Sequence, residues 1–228
     1  IGGVRQRDFM RRLGMLSRTP LQLHEVAAPL APRKWRQVNT MTISYGYGIS
    51  VTPVQLAAGV AAVINGGIFY PPTLIKRRAG EDIVGTHILS PTTSEKMRRL
   101  LRLAVVKGTG KNANATGYMV GGKTGTAEKA SGRGYRSKSL ISSFVAAFPM
   151  HRPRYVVFAM IDEAQGIART NGNATGGWVA APVVKRVIER IAPILRIPTF
   201  DENSEPMRQR MMVDLSTEQP KEHKIAAH

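Results

Sequence analysis

Three β-like segments follow one another between residues 118 and 162, and no helical segment separates them. They cover residues 118–128, 140–148 and 155–162, and the first of them is rich in glycine. A parallel sheet needs long crossover connections between its strands, so this order favours an antiparallel sheet. The short connection at 149–153, which begins and ends with proline, predicts that the last two strands form a hairpin.

Helical segments lie on both sides of these strands in the sequence. The first long helix is expected at 52–65, where Thr52 can cap its start and a glycine pair follows its end. Two more are expected at 91–106 and 179–195, because their apolar residues recur at helical spacing. A short helix is expected near 6–16, with extended loop in the rest of the N-terminal region. The pattern predicts an α+β fold, an antiparallel sheet flanked by helices.

The composition changes after Pro198. Residues 1–198 carry the apolar segments, whereas residues 199–228 are polar and almost without aromatic side chains, so we expect a disordered tail there. The chain begins with Ile1 rather than with methionine, which we interpret as a cut through a longer protein. No apolar run approaches the roughly 18 residues that a membrane-spanning helix needs.

The chain is strongly basic, with 33 lysines and arginines against 15 acidic residues and a net charge of +18. The basic residues are dispersed and accompany no nucleic-acid-binding motif, so we expect no nucleic acid partner. An anionic membrane surface or polymer would attract the same charge. The absence of cysteine excludes disulfides and thiolate catalysis, and the five histidines lack metal-like spacing, so we expect neither a metal nor a cofactor.

The main candidate site is the segment 121–126, Gly-Gly-Lys-Thr-Gly-Thr. Glycine within a strand often marks close approach by a ligand or another backbone, and an open edge strand can accept a peptide as an added strand. Lys123 supplies a cation, and Thr124 and Thr126 supply hydroxyl donors, a combination that suits a carboxylate. The backbone N–H of Thr126 can also stabilise a developing oxyanion. A plain surface hairpin turn is the alternative interpretation.

Further stretches occur in an order that resembles one enzyme family, the septal class B penicillin-binding proteins, which are peptidoglycan D,D-transpeptidases of cell division. The resemblance runs from about residue 5 to 198 and indicates the C-terminal portion of the transpeptidase domain. It rests on four stretches of the sequence. Residues 44–48 with 52–57 resemble a glycine–aromatic loop that leads into a helix, and residues 65–72 resemble the loop after that helix. Residues 121–129 resemble the Lys-Thr-Gly strand, and residues 176–184 resemble the start of the closing helix.

This resemblance implies part of a penicillin-recognising serine transpeptidase fold, which is β-lactamase-like. It implies cross-linking of peptidoglycan through an acyl-enzyme formed on D-Ala-D-Ala stem peptides, and it implies binding of β-lactams, which mimic the D-Ala-D-Ala end. Lys123 and Thr126 would then be catalytic, Lys123 in the proton network and Thr126 as an oxyanion donor. Residues Lys123, Thr124, Gly125 and Thr126 would bind the substrate.

The chain departs from the family because it contains neither Ser-x-x-Lys nor Ser-x-Asn. Thr93 and Lys96 have the right spacing, but they fall inside a predicted helix. We therefore expect the serine nucleophile upstream of Ile1 and expect the chain to be inactive by itself, since a lysine without its serine cannot run acyl transfer. The resemblance also implies an N-terminal anchor in the inner membrane, a periplasmic location and divisome membrane proteins as partners.

Two alternatives stay open: a related D,D-carboxypeptidase or β-lactamase, and a catalytically inactive scaffold of the same fold. A few other residues are weaker candidates for the site. Asp162 and Glu163 are interpreted as solvated charges, the tyrosines at 45 and 47 as structural, the loop 112–116 as a possible substrate wall, and Trp178 as an anchor for the final helix.

Overall fold

The computed structural model describes residues 2–78, 80–131 and 134–213. Its helices are α1 (Gly3–Arg12), α2 (Gln37–Ser44), α3 (Pro53–Ile64), α4 (Pro91–Val106), α5 (Gly176–Val179), α6 (Ala181–Ile194) and α7 (Glu205–Met211). Its strands are β1 (Ile68–Phe69), β2 (Thr86–His87), β3 (Gly121–Ser131), β4 (Gly134–Phe148) and β5 (Tyr155–Asp162). In this part of the chain no helix combines the length and apolarity needed to cross a membrane.

The main sheet has three antiparallel strands in the order β3-β4-β5, as the sequence predicted. Gly121 pairs with Ala147 at one end of the β3–β4 ladder, and the register shifts between Glu128 and Ala130. The predicted hairpin between β4 and β5 is confirmed. β3 begins later than expected because Met119 has a left-handed φ of 49°, which does not continue a strand.

Helices cover both faces of this sheet, which confirms the α+β class. On one face Phe144 and Phe148 of β4 pack with Val184 and Ile188 of α6, and all four are fully buried. On the other face Ala147, Met119 and Met150 pack with Ile64 at the end of α3. The central strand β4 therefore joins two apolar clusters, and its burial supports β3 at the sheet edge.

The predicted helix starts are confirmed in atomic detail. Thr52 Oγ1 accepts from Gln55 N at 3.3 Å while Thr52 N donates to Gln55 Oε1 at 3.0 Å, which forms a capping box at the start of α3. Ser90 Oγ accepts from Thr93 N at 3.1 Å at the start of α4. The final helix expected at 179–195 is α6 (Ala181–Ile194), and the short helix α5 (Gly176–Val179), which was not expected, precedes it.

The N-terminal region differs from the expectation of extended loop. Helix α2 lies there, with Asn39 Oδ1 accepting from Arg36 N at 2.9 Å at its start. Its side chains show almost no separation into polar and apolar faces, since only Ile43 is buried. Periodicity therefore contained no signal for this helix, and the nearby prolines suggested a loop.

The expectation of a disordered tail from residue 199 is wrong for residues 199–213, which include α7. Met211 is 5% exposed, and Phe200 and Met207 pack beside it on the cluster that contains Ile64. Glu202 forms a buried ion pair with Arg102. The average polarity of the last thirty residues concealed these few contacts. The rest of the expected tail, 214–228, lies outside the described residues.

Truncation of Phe144 should test how far the sheet depends on the core of β4. Phe144 is fully buried, so Phe144→Ala should lower the free energy of unfolding by about 3–5 kcal/mol through lost burial and a new cavity. Urea unfolding of the protein that contains this chain, followed by circular dichroism, measures the change.

The matched control is Met160→Ala on β5, because Met160 is 50% exposed and its truncation should change the stability by no more than about 0.5 kcal/mol. Equal effects of the two substitutions would contradict the assignment of the core to β4.

Candidate active site

The glycine-rich strand lies where an added strand could reach it. β3 is an edge strand of the three-stranded sheet, paired with β4 along one side. Lys123 and Thr126 are exposed, and Thr124 and Gly125 are partly exposed. The structure thus brings all four predicted site residues to one accessible sheet edge, and the interpretation as a tight hairpin turn is wrong because they lie within the paired strand.

Lys123 and Thr124 contact each other directly. The ammonium group of Lys123 donates to the carbonyl oxygen of Thr124 at 2.8 Å and to its Oγ1 at 3.2 Å. The hydroxyl of Thr124 also lies 3.1 Å from that of Thr109, which follows α4 in a Gly-Thr-Gly turn. Because a hydroxyl both donates and accepts, this chain of contacts links the cation to two hydroxyls.

The hydroxyl of Thr126 is oriented by the start of α5. Gly176 N donates to Thr126 Oγ1 at 3.1 Å. A hydroxyl whose oxygen accepts a hydrogen bond still has its own hydrogen to donate. Thr126 is therefore prepared to donate to an anionic group at the sheet edge, and the residue that prepares it lies fifty positions further along the chain.

The same helix start lies very close to the sheet. A Cβ atom on Gly176 would lie 2.2 Å from the carbonyl oxygen of Ser143 and 2.6 Å from that of Gly125. A Cβ atom on Gly177 would lie 2.5 Å from the carbonyl oxygen of Thr109. All three distances are too short for any side chain, so glycine is required at the two positions for α5 to reach β3.

A second contact fixes the loop beside this helix start. Asn112 Nδ2 donates to Gly177 O at 2.8 Å. Of the predicted wall at 112–116, only Asn112 lines the neighbouring cleft. Ala113 and Ala115 are fully buried in the core, so the interpretation of the whole loop as a substrate wall is wrong.

The cleft between these elements has basic and hydroxyl side chains in its lining. It has a volume of about 700 Å³, and Thr124 and Thr126 line it together with Lys107 and Lys111. Trp178 also lines it and is 40% exposed, so its ring faces the cleft in addition to belonging to α5. Two ammonium groups and two hydroxyls in one cleft suit a ligand with negative charge.

The Tyr-Gly-Tyr-Gly loop closes the far end of the strand edge. The hydroxyl of Tyr47 accepts from Glu128 N at 3.3 Å. The rings of Tyr45 and Tyr47 lie 5.9 Å apart and are tilted by 56°. The contact with the β3 backbone agrees with the structural role expected for Tyr47, and it limits the open edge to the residues before Glu128.

Asp162 and Glu163 form an exposed ion-pair group with Lys129. The ammonium group lies 2.9 Å from Asp162 Oδ2 and 3.2 Å from Glu163 Oε1. Hydrogen bonds with Asp162 and then with Glu163 raise the pKa of Lys129. The two carboxylates are exposed, as expected for solvated charges, but both contact Lys129 instead of pointing apart.

Thr93, the threonine with the spacing of the nucleophile motif, falls away as a candidate. Thr93 lies in the first turn of α4, where its hydroxyl is 2.9 Å from that of the capping Ser90, so it does not belong to the cleft. Within 2–78, 80–131 and 134–213, no three histidine or acidic side chains come together in a way that could hold a metal ion.

Sequence reasoning missed Thr109, Asn112 as a partner of α5, and the contact from Gly176 to Thr126. The available signal was the glycine pair at 176–177, since paired glycines before a helix indicate close approach. The glycines do not indicate which segment they approach, because contacts between distant segments leave no periodic pattern in the sequence.

Comparison with known proteins agrees with this geometry. The family model for the penicillin-binding protein transpeptidase domain matches residues 1–189. "Probable peptidoglycan D,D-transpeptidase FtsI" of Caulobacter vibrioides is 41% identical over 206 residues, which cover 86% of this chain and 35% of that protein. Stage V sporulation protein D of Bacillus subtilis is 35% identical over 170 residues, which cover 70% of this chain and 26% of that protein.

Solved structures resemble the chain as well. The transpeptidase domain of penicillin-binding protein 3 from Burkholderia pseudomallei has a TM-score of 0.79 at 34% identity, over 88% of this chain and 60% of that one. Penicillin-binding protein 3 from Mycobacterium tuberculosis, complexed with ampicillin, has a TM-score of 0.79 at 24% identity, over 94% and 50%. This second likeness shows the fold alone.

The chain spans only 35% and 26% of the two curated relatives named here, so it corresponds to a segment of each. The matched segment contains the Lys-Thr-Gly strand, the cleft and both glycines that α5 needs. The chain belongs to the family of penicillin-binding protein transpeptidase domains.

Proposed function

We propose that this chain is the C-terminal part of the transpeptidase domain of a septal class B penicillin-binding protein, and that the longer protein cross-links peptidoglycan during cell division. The observation that carries the proposal is the exposed Lys-Thr-Gly edge strand, whose threonine hydroxyls line a cationic cleft. The 41% identity to a protein named as a D,D-transpeptidase supports transpeptidation over carboxypeptidase or β-lactamase activity.

The strand has the groups needed to bind the carboxylate at the D-Ala-D-Ala end of a stem peptide. Lys123 brings a positive charge, and Thr124 and Thr126 bring hydroxyls that can donate to carboxylate oxygens. Charge-assisted hydrogen bonds of this kind are stronger than neutral ones. A β-lactam has a carboxylate in the corresponding place, so the same groups would bind penicillins.

The chemistry needs a serine from outside this chain. The serine oxygen attacks the carbonyl carbon of the penultimate D-Ala, a C–O bond forms, and the C–N bond to the terminal D-Ala breaks as that amine takes a proton. An amine of a second stem peptide then attacks the ester and releases the serine. The Thr126 N–H would donate to the oxyanion in both steps, and Lys123 would support the proton network.

We further propose a periplasmic location at the inner membrane, through an anchor outside this chain, and divisome membrane proteins as partners. The basic surface supports this location, because 33 lysines and arginines against 15 acidic residues favour an anionic environment. Fluorescence microscopy of the tagged longer protein tests it, since septal enrichment is expected and an even cytoplasmic signal would contradict it.

Removal of the Lys123 ammonium group should slow acylation in the longer protein. A charge-assisted hydrogen bond contributes about 1.5–3 kcal/mol, so Lys123→Ala should lower the second-order rate of penicillin acylation by roughly 10- to 150-fold. A larger loss is expected if Lys123 also assists proton transfer. The rate is measured with a fluorescent penicillin under pseudo-first-order conditions.

Lys129→Ala is the control, because Lys129 lies on the same strand but pairs with Asp162 and Glu163 at the surface. Its acylation rate should stay close to that of the wild type. Acylation of Lys123→Ala at the wild-type rate, or a slower rate for Lys129→Ala than for Lys123→Ala, would mean that the substrate site is misplaced.

The chain by itself should form no covalent adduct with penicillin. It contains no serine followed three residues later by lysine and none followed two residues later by asparagine. Incubation with a fluorescent penicillin and a denaturing gel should therefore show no labelled band, while the longer protein should label. A band that excess unlabelled penicillin competes away would reveal a nucleophile within residues 1–228.

A further inference from the structure

A buried arginine joins α4 to the segment between α6 and α7. Arg102 Nη2 lies 2.8 Å from Glu202 Oε2, and the two side chains are only 8% and 13% exposed. Burial lowers the pKa of Arg102, and the nearby Glu202 carboxylate opposes that change. The second terminal nitrogen of Arg102 donates to Asn114 Oδ1 at 2.8 Å and to Val120 O at 2.7 Å.

The carboxylate of Glu202 holds the same loop from the other side. Its Oε1 accepts from Gly117 N at 2.9 Å and from Met119 N at 3.2 Å. Phe200 N donates to Gly117 O at 2.8 Å two residues earlier. Apart from the ion pair, these hydrogen bonds of Arg102, Glu202 and Phe200 all have their partners within residues 114–120, which lead directly into β3 at Gly121.

The conformation of this loop needs such support. Met119 has a φ of 49°, in the left-handed region that non-glycine residues rarely adopt. Its side chain is 1% exposed, and its carbonyl accepts from Met150 N at 2.8 Å. A backbone held in a sparsely populated region persists only where the surroundings determine it. Here Glu202 supplies the contact on the N–H side of Met119.

We infer that Glu202 is a positioning residue for the Lys-Thr-Gly strand: with Arg102 it sets the loop 114–120 and thereby the place of Lys123 and Thr126. The match to the family model ends at residue 189, so Glu202 lies beyond the matched residues. The part of this inference that concerns reaction rate rests on the proposed function, whereas the part that concerns strand order does not.

The short path from the ion pair to the site supports this role. The backbone carbonyl of Val120 accepts from Arg102, and Val120 immediately precedes β3, three positions before Lys123. A shift of the loop would therefore displace the start of β3. A displacement of about 1 Å at a reacting group can lower the reaction rate roughly 100-fold. A pair that only added stability would have no reason to hold this one loop at both its N–H and C=O groups.

The test uses Glu202→Gln in the longer protein, with Glu205→Gln as matched control. An amide has one acceptor oxygen where the carboxylate has two, so Gln at 202 must turn its NH₂ towards either Arg102 or the backbone N–H groups. Glu205 is exposed, and its carboxylate accepts from Gln209 on the same helix. The same chemical change there leaves the loop untouched.

Hydrogen exchange measures strand order directly. In Glu202→Gln, peptides that cover 114–126 should exchange about tenfold faster or more, while peptides that cover α6 keep their wild-type rates. No local change, or an equal increase throughout the protein, would overturn the inference in favour of no role or of general stability. If Glu202→Gln does not fold, Glu202→Asp replaces it, because it keeps a negative charge beside Arg102 but shortens the reach to Gly117 N and Met119 N.

Penicillin acylation supplies the second measurement, separated into a binding constant and an acylation rate constant. Glu202→Gln should lower the acylation rate constant by roughly 10- to 100-fold and change the binding constant less, because the oxyanion contact forms only in the transition state. An unchanged rate constant would overturn the inference. If the wild type is not acylated, the proposed function fails, and hydrogen exchange alone decides the role of Glu202.

Discussion

The first turn of α5 lies almost against the backbone of β3 and β4, and the geometry of the site depends on that approach. Gly176 and Gly177 allow it, since a Cβ on either would overlap a carbonyl oxygen of the sheet or of the loop after α4. The approach lets Gly176 N reach the hydroxyl of Thr126. It also forms one side of the cleft, where Trp178 follows directly. Without it, the hydroxyl of Thr126 would lose the hydrogen bond that orients it.

Local chemistry in the sequence predicted most of the fold. Thr52 with Gln55 and Ser90 with Pro91 marked two helix starts to the residue, because capping is decided within four positions. The hairpin of β4 and β5 followed from a connection too short for any other pairing. Helix α2 was not predicted, because its burial does not follow a helical period. Contacts between distant segments, such as Glu202 with Met119, leave no periodic trace, and the order of residues 199–213 was therefore missed.

For the same reason, the residues of the candidate site could be predicted but the contacts that orient them could not. Lys123, Thr124 and Thr126 lie within four consecutive positions, so their chemistry can be recognised from residue types alone. The groups that orient them come from other elements: Thr109 from the turn after α4 and Gly176 from α5. Part of the positive charge of the chain lies beside the candidate site, since Lys107 and Lys111 line the same cleft as the threonines. A net charge of +18 predicts anionic partners in general, whereas two lysines in one cleft indicate where an anionic group would bind.

The edge strand is held on three sides before any ligand arrives. β4 pairs with it along its length, Tyr47 contacts its far end at Glu128, and the loop at 114–120 sets its beginning. An isolated edge strand would lose conformational freedom on accepting a peptide, and that entropy would weaken binding. Here the loss has already occurred on folding, so the open edge between Lys123 and Ala127 can pair with a ligand at little further cost. Donors fixed in advance in this way also need no reorganisation when charge develops on a substrate oxygen, which is the condition for effective oxyanion stabilisation.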